Sequence, residues 1–132
     1  MFISNCENPK LLSPLVLAFV GDAIYGLLVR ERLVLIANTS VGNLHKNSVR
    51  YVSAKAQASA IDKIEAMFDE EEERIYKRGR NSAVNSVPKN ANVADYHKAT
   101  GLEALFGYLY LSNRHERIKH LFDVIWDTIE IG

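Results

Sequence analysis

Cysteine is almost missing: the 132-residue chain carries one, Cys6, so no disulfide can close within it. A single thiol in a polar stretch with no evident base gives no nucleophile, and it fits a reducing compartment, the cytoplasm. Net charge is missing as well. Sixteen Lys and Arg balance sixteen Asp and Glu, so the total selects no partner. No alternation of apolar and polar residues reads as a strand, and there is no repeat or low-complexity tract. No Gly-x-Ser-x-Gly elbow and no phosphate-cradling glycine loop occurs, so neither serine nucleophile chemistry nor a nucleotide cofactor is expected. Nothing points to zinc: cysteine pairs are absent, and His45, His97, His115 and His120 lack ligand spacing. The first ten residues are polar, with Glu7 and Lys10, and are not expected to form a secretory signal. The run from Leu11 to Val29 is long enough to raise the question of a membrane span. Asp22 near its middle costs ~3 kcal/mol in a bilayer. With Pro14, two glycines and Tyr25 also present, a buried helix is expected and no membrane partner.

What is present reads as helix nearly throughout. Ser13-Pro14 is a capping serine followed by proline at the first helical position, and that helix runs to about Ile36. Asn38-Thr39-Ser40 breaks it. Leu44 to Ser53 and Ala54 to Phe68 follow, with Ala56, Ala60, Ile64 and Met67 at helical spacing. The acids Asp69 to Glu73 lead into Arg74, Lys77, Arg78 and Arg80. That order suits the helix dipole, and the helix ends near Asn81. Ser82 to Asn92 reads as loop. Asn92 caps a helix that carries Glu103 and ends near Ser112-Asn113, with Asp95 as the reciprocal capping group. The last helix, from about His115 to Ile129, places Ile118, Leu121, Phe122, Ile125 and Ile129 on one face. The expected fold is all-α: a compact bundle of about six or seven helices, with residues 1–132 forming a single domain.

Two carboxylates stand alone in the most apolar stretches. Asp22 is the only charged residue from Leu11 to Val29, and Glu103 the only one from Ala99 to Asn113. Asp22 has Ala18 and Gly26 four residues to either side; Glu103 has Ala99 and Gly107. Residues four apart share a helix face, so each acid sits on a strip of tiny neighbours. A lone buried acid is costly unless it is paired or binds a cation. Three readings fit: close helix packing beside an ordinary ion pair, a hydrogen bond to a free backbone group, or a metal site between two close-packed helices. Oxygen ligands of this kind suit Mg²⁺, with Mn²⁺ as a substitute.

A second constellation is basic and amide-rich. Arg74, Lys77, Arg78, Arg80, Lys89 and Lys98 lie between 74 and 98, where Asp95 is the only acid, and Asn81 and Asn90 add donors. These groups suit phosphate oxygens and sugar hydroxyls; they are equally what a solvated face answering the neighbouring acids would carry. A weaker patch, Asn38 to Ile61, holds Lys46, Arg50 and Lys55 and no acid. Paired acids with a basic loop fit metal-assisted phosphodiester hydrolysis.

Leu17-Ala-Phe-Val-Gly-Asp22-Ala-Ile-Tyr resembles the signature helix of the ribonuclease III family, and Glu103-Ala-Leu-Phe-Gly107 resembles its second acidic segment. Tyr76-Lys-Arg-Gly-Arg-Asn81, Val87-Pro-Lys-Asn90 and Val52-Ser-Ala-Lys-Ala-Gln57 look like the Mini-ribonuclease III branch, and the order of motifs matches from about Leu11 onward. The resemblance implies an endoribonuclease that cuts double-stranded RNA as a homodimer and leaves 5′-phosphate and 3′-hydroxyl ends. It also implies precursor 23S ribosomal RNA of bacteria as the substrate. Asp22 and Glu103 then take the catalytic, metal-ligand positions. Arg78, Arg80, Asn81, Lys89, Asn90 and Lys98 are the candidate RNA contacts. Phe19 matches the aromatic knob the family inserts into its partner subunit, although an ordinary core aromatic would look the same.

Two positions depart from the family pattern. Ala18 stands where a glutamate is usual, and Thr100 where an aspartate is usual. Half of the acidic cluster is absent, which puts a second metal per site in doubt. Asp95 is a poor replacement, eight residues and ~12 Å along the helix from Glu103. No appended double-stranded RNA-binding domain is expected. The missing acids keep a rival open, an inactive RNA-binding or ribosome-assembly factor on the same fold; a purely structural helical dimer is a third.

Overall fold

The computed structural model describes residues 6–82, 89 and 91–128. Among them lie six α-helices and no strand: α1 Pro14–Ile36, α2 Val41–Val52, α3 Ala54–Ile64, α4 Glu70–Ser82, α5 Val93–Leu111 and α6 His115–Thr128. No helix of the described residues is long and apolar enough to cross a membrane.

The helix starts follow from side-chain caps. Ser13 accepts from the Val16 amide at 3.2 Å with Pro14 at the first position, as its sequence signals. Asn92 accepts from the Asp95 amide at 3.0 Å. Ser40 and Ser53 cap α2 and α3 through the amides of Asn43 and Ala56, each at 3.2 Å. The Ser40 cap is why α2 begins at Val41, ahead of the expected Leu44: Gly42 falls in the first turn, where amides have no helical partner anyway. The expected helix from Ala54 to Phe68 instead ends at Ile64, and a 3-10 turn, Glu65–Met67, follows. That turn frees the Met67 carbonyl to accept from Arg117 at 2.7 Å. At the end of α5, Asn113 takes φ 59°, a left-handed conformation asparagine tolerates. The Leu109 carbonyl then receives the Arg114 amide at 2.9 Å. Ile129 lies outside the described residues.

Helix α5 is the axis, packed against α1, α3, α4 and α6. Its Leu102, Leu105, Phe106 and Leu109 are fully buried among Tyr25, Val29, Ile61, Ile64, Tyr76, Leu121, Phe122 and Ile125. Each such side chain contributes roughly 1.5–3 kcal/mol. Of the residues expected at core spacing, Ala60, Ile64, Ile118, Leu121, Phe122 and Ile125 are buried, while Ala56 and Met67 are half-buried. Beside this core α4 carries Glu72, wholly buried and held by Arg117 of α6. Helix α1 is apolar on both sides. Leu17, Tyr25, Val29 and Leu33 face inward, while Leu15, Val16, Phe19 and Leu27 leave a stripe open to solvent.

Candidate active site

The site is made by the crossing of α1 and α5, and glycine sets its closeness. A Cβ on Gly21 would overlap the Glu103 carbonyl and come within 2.9 Å of the Gly107 amide nitrogen; one on Gly107 would overlap the Leu17 carbonyl. The two backbones therefore touch at Gly21 and Gly107, and only glycine fits at either place. The small strips expected around the acids play different parts. Gly107 is the crossing, Ala18 packs in a small cluster with Ile75 and Ala104, and the space at Gly26 is taken by the head of Arg30. Gly21, which makes the contact, sits one residue before Asp22. Its signal was the Gly-Asp pair itself, not the spacing of four.

The crossing brings Asp22 and Glu103 together. They are not both buried, as a lone acid on each apolar stretch suggested: Asp22 is exposed and Glu103 half-buried. Of the two, Glu103 carries the strain. Burial pushes the Glu103 carboxyl up from its ordinary 4.5 to about 8; the Asp22 carboxyl adds to the rise by hydrogen bond and by charge, and the Gln57 amide opposes it. Of the three readings for the acids, an ion pair has no support at Glu103 among the described residues, where Asp22 and the Gln57 amide act on its carboxyl.

Two residues that spacing did not single out complete the site. Gln57 of α3 is buried and donates from Nε2 to Glu103 Oε2 at 3.4 Å. Tyr25, one turn after Asp22, is buried with its ring edge-on to Phe106 and Phe122, each centroid at 5.6 Å. Burial raises its hydroxyl above the ordinary tyrosine range, and the nearby Glu103 charge raises it further. Tyr25 Oη and Gln57 Oε1 are both buried and unpartnered. Both residues lie in the motif segments quoted above, which was the available signal.

The positions that depart from the family pattern are sealed. Ala18 is buried in its apolar cluster, and the Thr100 hydroxyl donates to the Tyr96 carbonyl of its own helix at 3.0 Å. Asp95 sits in the first turn of α5, away from Glu103. Among the described residues no three His, Cys, Asp or Glu side chains gather as a metal cluster. The donors that do gather still fit a hard cation. Mg²⁺ is commonly held by one or two carboxylates and keeps several waters, and two orphaned polar atoms beside Glu103 suit such waters.

The basic constellation divides. Arg74 pairs with Glu71, and Lys77 with Glu73 at 3.0 Å, so these two answer the acid run of α4. Arg78 donates to the Lys10 carbonyl at 3.0 Å; Arg80 lies over the Tyr76 ring, 5.7 Å from its centroid, and donates to Asn81 at 3.3 Å. Lys98 pairs with Asp62 at 3.1 Å, and Lys89 is exposed. Asn90, Val87 and Pro88 lie outside the described residues. The weaker patch is partly gathered. Arg50, Lys55 and Lys63, with Ser53 and Ser59, line a groove of about 310 Å³ between α2 and α3. Phe19 is 81% exposed and so is no core aromatic of this chain.

The Ribonuclease III domain model matches residues 15–114. A Mini-ribonuclease 3 of a Thermoanaerobacter species is 49% identical over 94% of this chain and 87% of its own. A Mini-ribonuclease 3 of Brevibacillus brevis is 46% identical over 94% and 92%. The X-ray structure of a Fusobacterium nucleatum protein superposes with a TM-score of 0.82 at 34% identity, covering 92% of this chain and 98% of that one.

Proposed function

The chain belongs to the ribonuclease III family of endoribonucleases, and from that premise we propose that it hydrolyses double-stranded RNA, as a homodimer, with Asp22 and Glu103 holding Mg²⁺. The observation that carries the reading is the meeting of two carboxylates with, among the described residues, no cation at Glu103, whose proton is held up to about 8. Such a pair is costly by itself and becomes favourable when a cation replaces the proton. Mg²⁺, or Mn²⁺ in its place, supplies activation of the attacking water and stabilisation of the leaving oxygen when bound. Asp22, exposed and one residue past the Gly21 crossing, presents its carboxylate toward solvent and substrate. Glu103 gives up its proton and presents the second carboxylate from the fixed surface of α5. In the reaction the water oxygen bonds to phosphorus, the P–O3′ bond breaks, and the products are a 5′-phosphate and a 3′-hydroxyl.

RNA grip is assigned to the C-terminal end of α4 and the segment beyond it. Arg78, Arg80, Asn81, Lys89, Asn90 and Lys98 offer donors for phosphates and 2′-hydroxyls. Gly79 lies against Thr100, Gly101 and Ala104 of α5, which puts that end of α4 beside the turn bearing Glu103. The second subunit is assigned to the open stripe of α1, where Leu15, Val16, Phe19 and Leu27 are exposed beside Asp22. A patch of that kind on a soluble chain marks an association surface, with Phe19 as its anchor. The finer reading, maturation of precursor 23S ribosomal RNA in the bacterial cytoplasm, rests on the branch resemblance.

The test is a long RNA duplex with Mg²⁺, given to wild type, Asp22→Asn and Glu103→Gln. Wild type is expected to cut. Both variants are expected to bind at low salt, where phosphate contacts are strong, and to cut at least ~10³-fold more slowly. Binding without cutting by wild type, or cutting by either variant at the wild-type rate, overturns the assignment.

A further inference from the structure

Gln57 is 3% exposed, on a helix whose other polar residues face outward. Its amide orientation is fixed by chemistry. The Val52 carbonyl, at the last residue of α2, can only accept, so the NH₂ group must face it, at 3.0 Å. The second amide hydrogen goes to Glu103 Oε2 at 3.4 Å. Both donors are then used, while Oε1 stays buried with no partner. An unfilled buried acceptor costs about 1–3 kcal/mol, and a leucine of similar volume would avoid that cost. Capping α2 accounts for the NH₂ group but not for the orphaned oxygen.

We infer that Gln57 is the positioning residue of the site: anchored on Val52, its Nε2 holds the Glu103 carboxylate, and its spare Oε1 accepts a hydrogen bond from a water in the shell of the bound cation. A neutral donor can orient Glu103 without competing with a cation for its charge, and Gln57 is placed to do so. Partners of this second layer commonly change metal affinity or activity by 10–100-fold. The inference rests on the proposed cation site and extends it to α3.

The experiment is a titration of Mn²⁺ alone into the full 132-residue chain by calorimetry, without RNA. It compares wild type, Gln57→Leu, Glu103→Gln and the double variant, and circular dichroism reports folding. Gln57→Leu is expected to stay folded and to bind Mn²⁺ ~10-fold more weakly, while still binding duplex RNA. In the Glu103→Gln background the same change is expected to have a smaller effect, because the carboxylate it positions is gone and only the water contact of Oε1 is left to lose. If Gln57→Leu does not fold, Gln57→Asn, which keeps the amide one methylene short, carries the same expectation. Unchanged Mn²⁺ affinity in a folded variant, or an equal loss on both backgrounds, makes Gln57 a helix cap only and overturns the inference. If wild type takes up no Mn²⁺, the cation site itself has failed and the inference falls with it.

Discussion

Glu72 and Glu103 both lie against the core, and the molecule treats them in opposite ways. Glu72, wholly buried, accepts from Arg117 Nε at 2.7 Å, from Arg117 Nη2 at 2.8 Å and from the Asp69 amide at 2.9 Å. Glu103 faces another carboxylate and one long hydrogen bond from an amide. The first is fully satisfied by the fold; the second is left short of positive charge. Burial alone does not distinguish them, since the more buried acid is the structural one. The distinction is whether the protein supplies the partner, and where it does not, the partner comes from outside.

The largest effect that sharpens this contrast is on catalysis. Asp22→Asn or Glu103→Gln removes a proposed cation ligand and is expected to slow duplex cleavage at least ~10³-fold, about 4 kcal/mol in the barrier. The melting temperature should not fall, because either change relieves the cost of holding a proton on Glu103 above its ordinary range. A variant that loses stability along with activity would place Glu103 in the same class as Glu72. The converse change is Arg117→Leu. It takes the guanidinium away from Glu72 in the interior and is expected to cost 3–5 kcal/mol, roughly 10–20 °C in Tm. Cleavage per folded molecule should be unaltered. Adding Glu72→Leu should recover most of that stability, since an apolar pair can replace a buried ion pair at little cost.

Much of this was legible in the sequence, and the exceptions have physical reasons. The caps at Ser13 and Asn92 and the apolar face of α6 are local signals, and local signals are what a sequence displays. The lone acids at 22 and 103 were legible because each interrupts an apolar run. What could not be read was which small residue makes the crossing. Spacing of four pointed to Ala18 and Gly26, but contact depends on how α1 is rotated against α5, and the rotation brings Gly21 to Gly107. Gln57 was hidden for the same reason: it lies 46 positions from Glu103 and reaches it only through the packing of α3 on α5. Phe19 kept two readings until exposure removed the core one. The basic stretch looked uniform, yet Arg74 and Lys77 are tied to acids of their own helix, a pairing that the i,i+3 and i,i+4 spacings already allowed.

A smaller effect separates the two glutamates by pH. The Glu103 carboxyl, ordinarily near 4.5, is raised to about 8 in the fold. An acid raised by folding holds its proton more tightly in the native state than in the unfolded one. Between those two values the native chain binds more protons, so stability falls as pH rises through that window. With cations chelated, wild type is expected to lose stability from about pH 5 to pH 8, and Glu103→Gln to lose less over the same range. Mg²⁺ should flatten the wild-type curve by replacing the proton. Urea midpoints across this window check it. Equal slopes in wild type and variant would mean that Glu103 is as well satisfied as Glu72.

The smallest effect concerns the entry to α4, where Glu72 has a second commitment. Asp69 accepts from the Glu72 amide at 2.8 Å while Glu72 accepts from the Asp69 amide at 2.9 Å, a reciprocal cap of the helix start. Asp69→Ala removes one half of that exchange and should cost about 1 kcal/mol. The exposed pair of Asp69 with Arg114, at 3.8 Å, adds little. Arg117 still holds Glu72, so the buried charge keeps its partner and the loss stays far below that of Arg117→Leu. Single-turnover cleavage should be unchanged, because no group at the α1–α5 crossing moves. A cleavage rate that fell with the cap would tie the start of α4 to the site at the far end of that helix, where Gly79 meets α5, and the separation between a structural acid and a catalytic one would no longer hold.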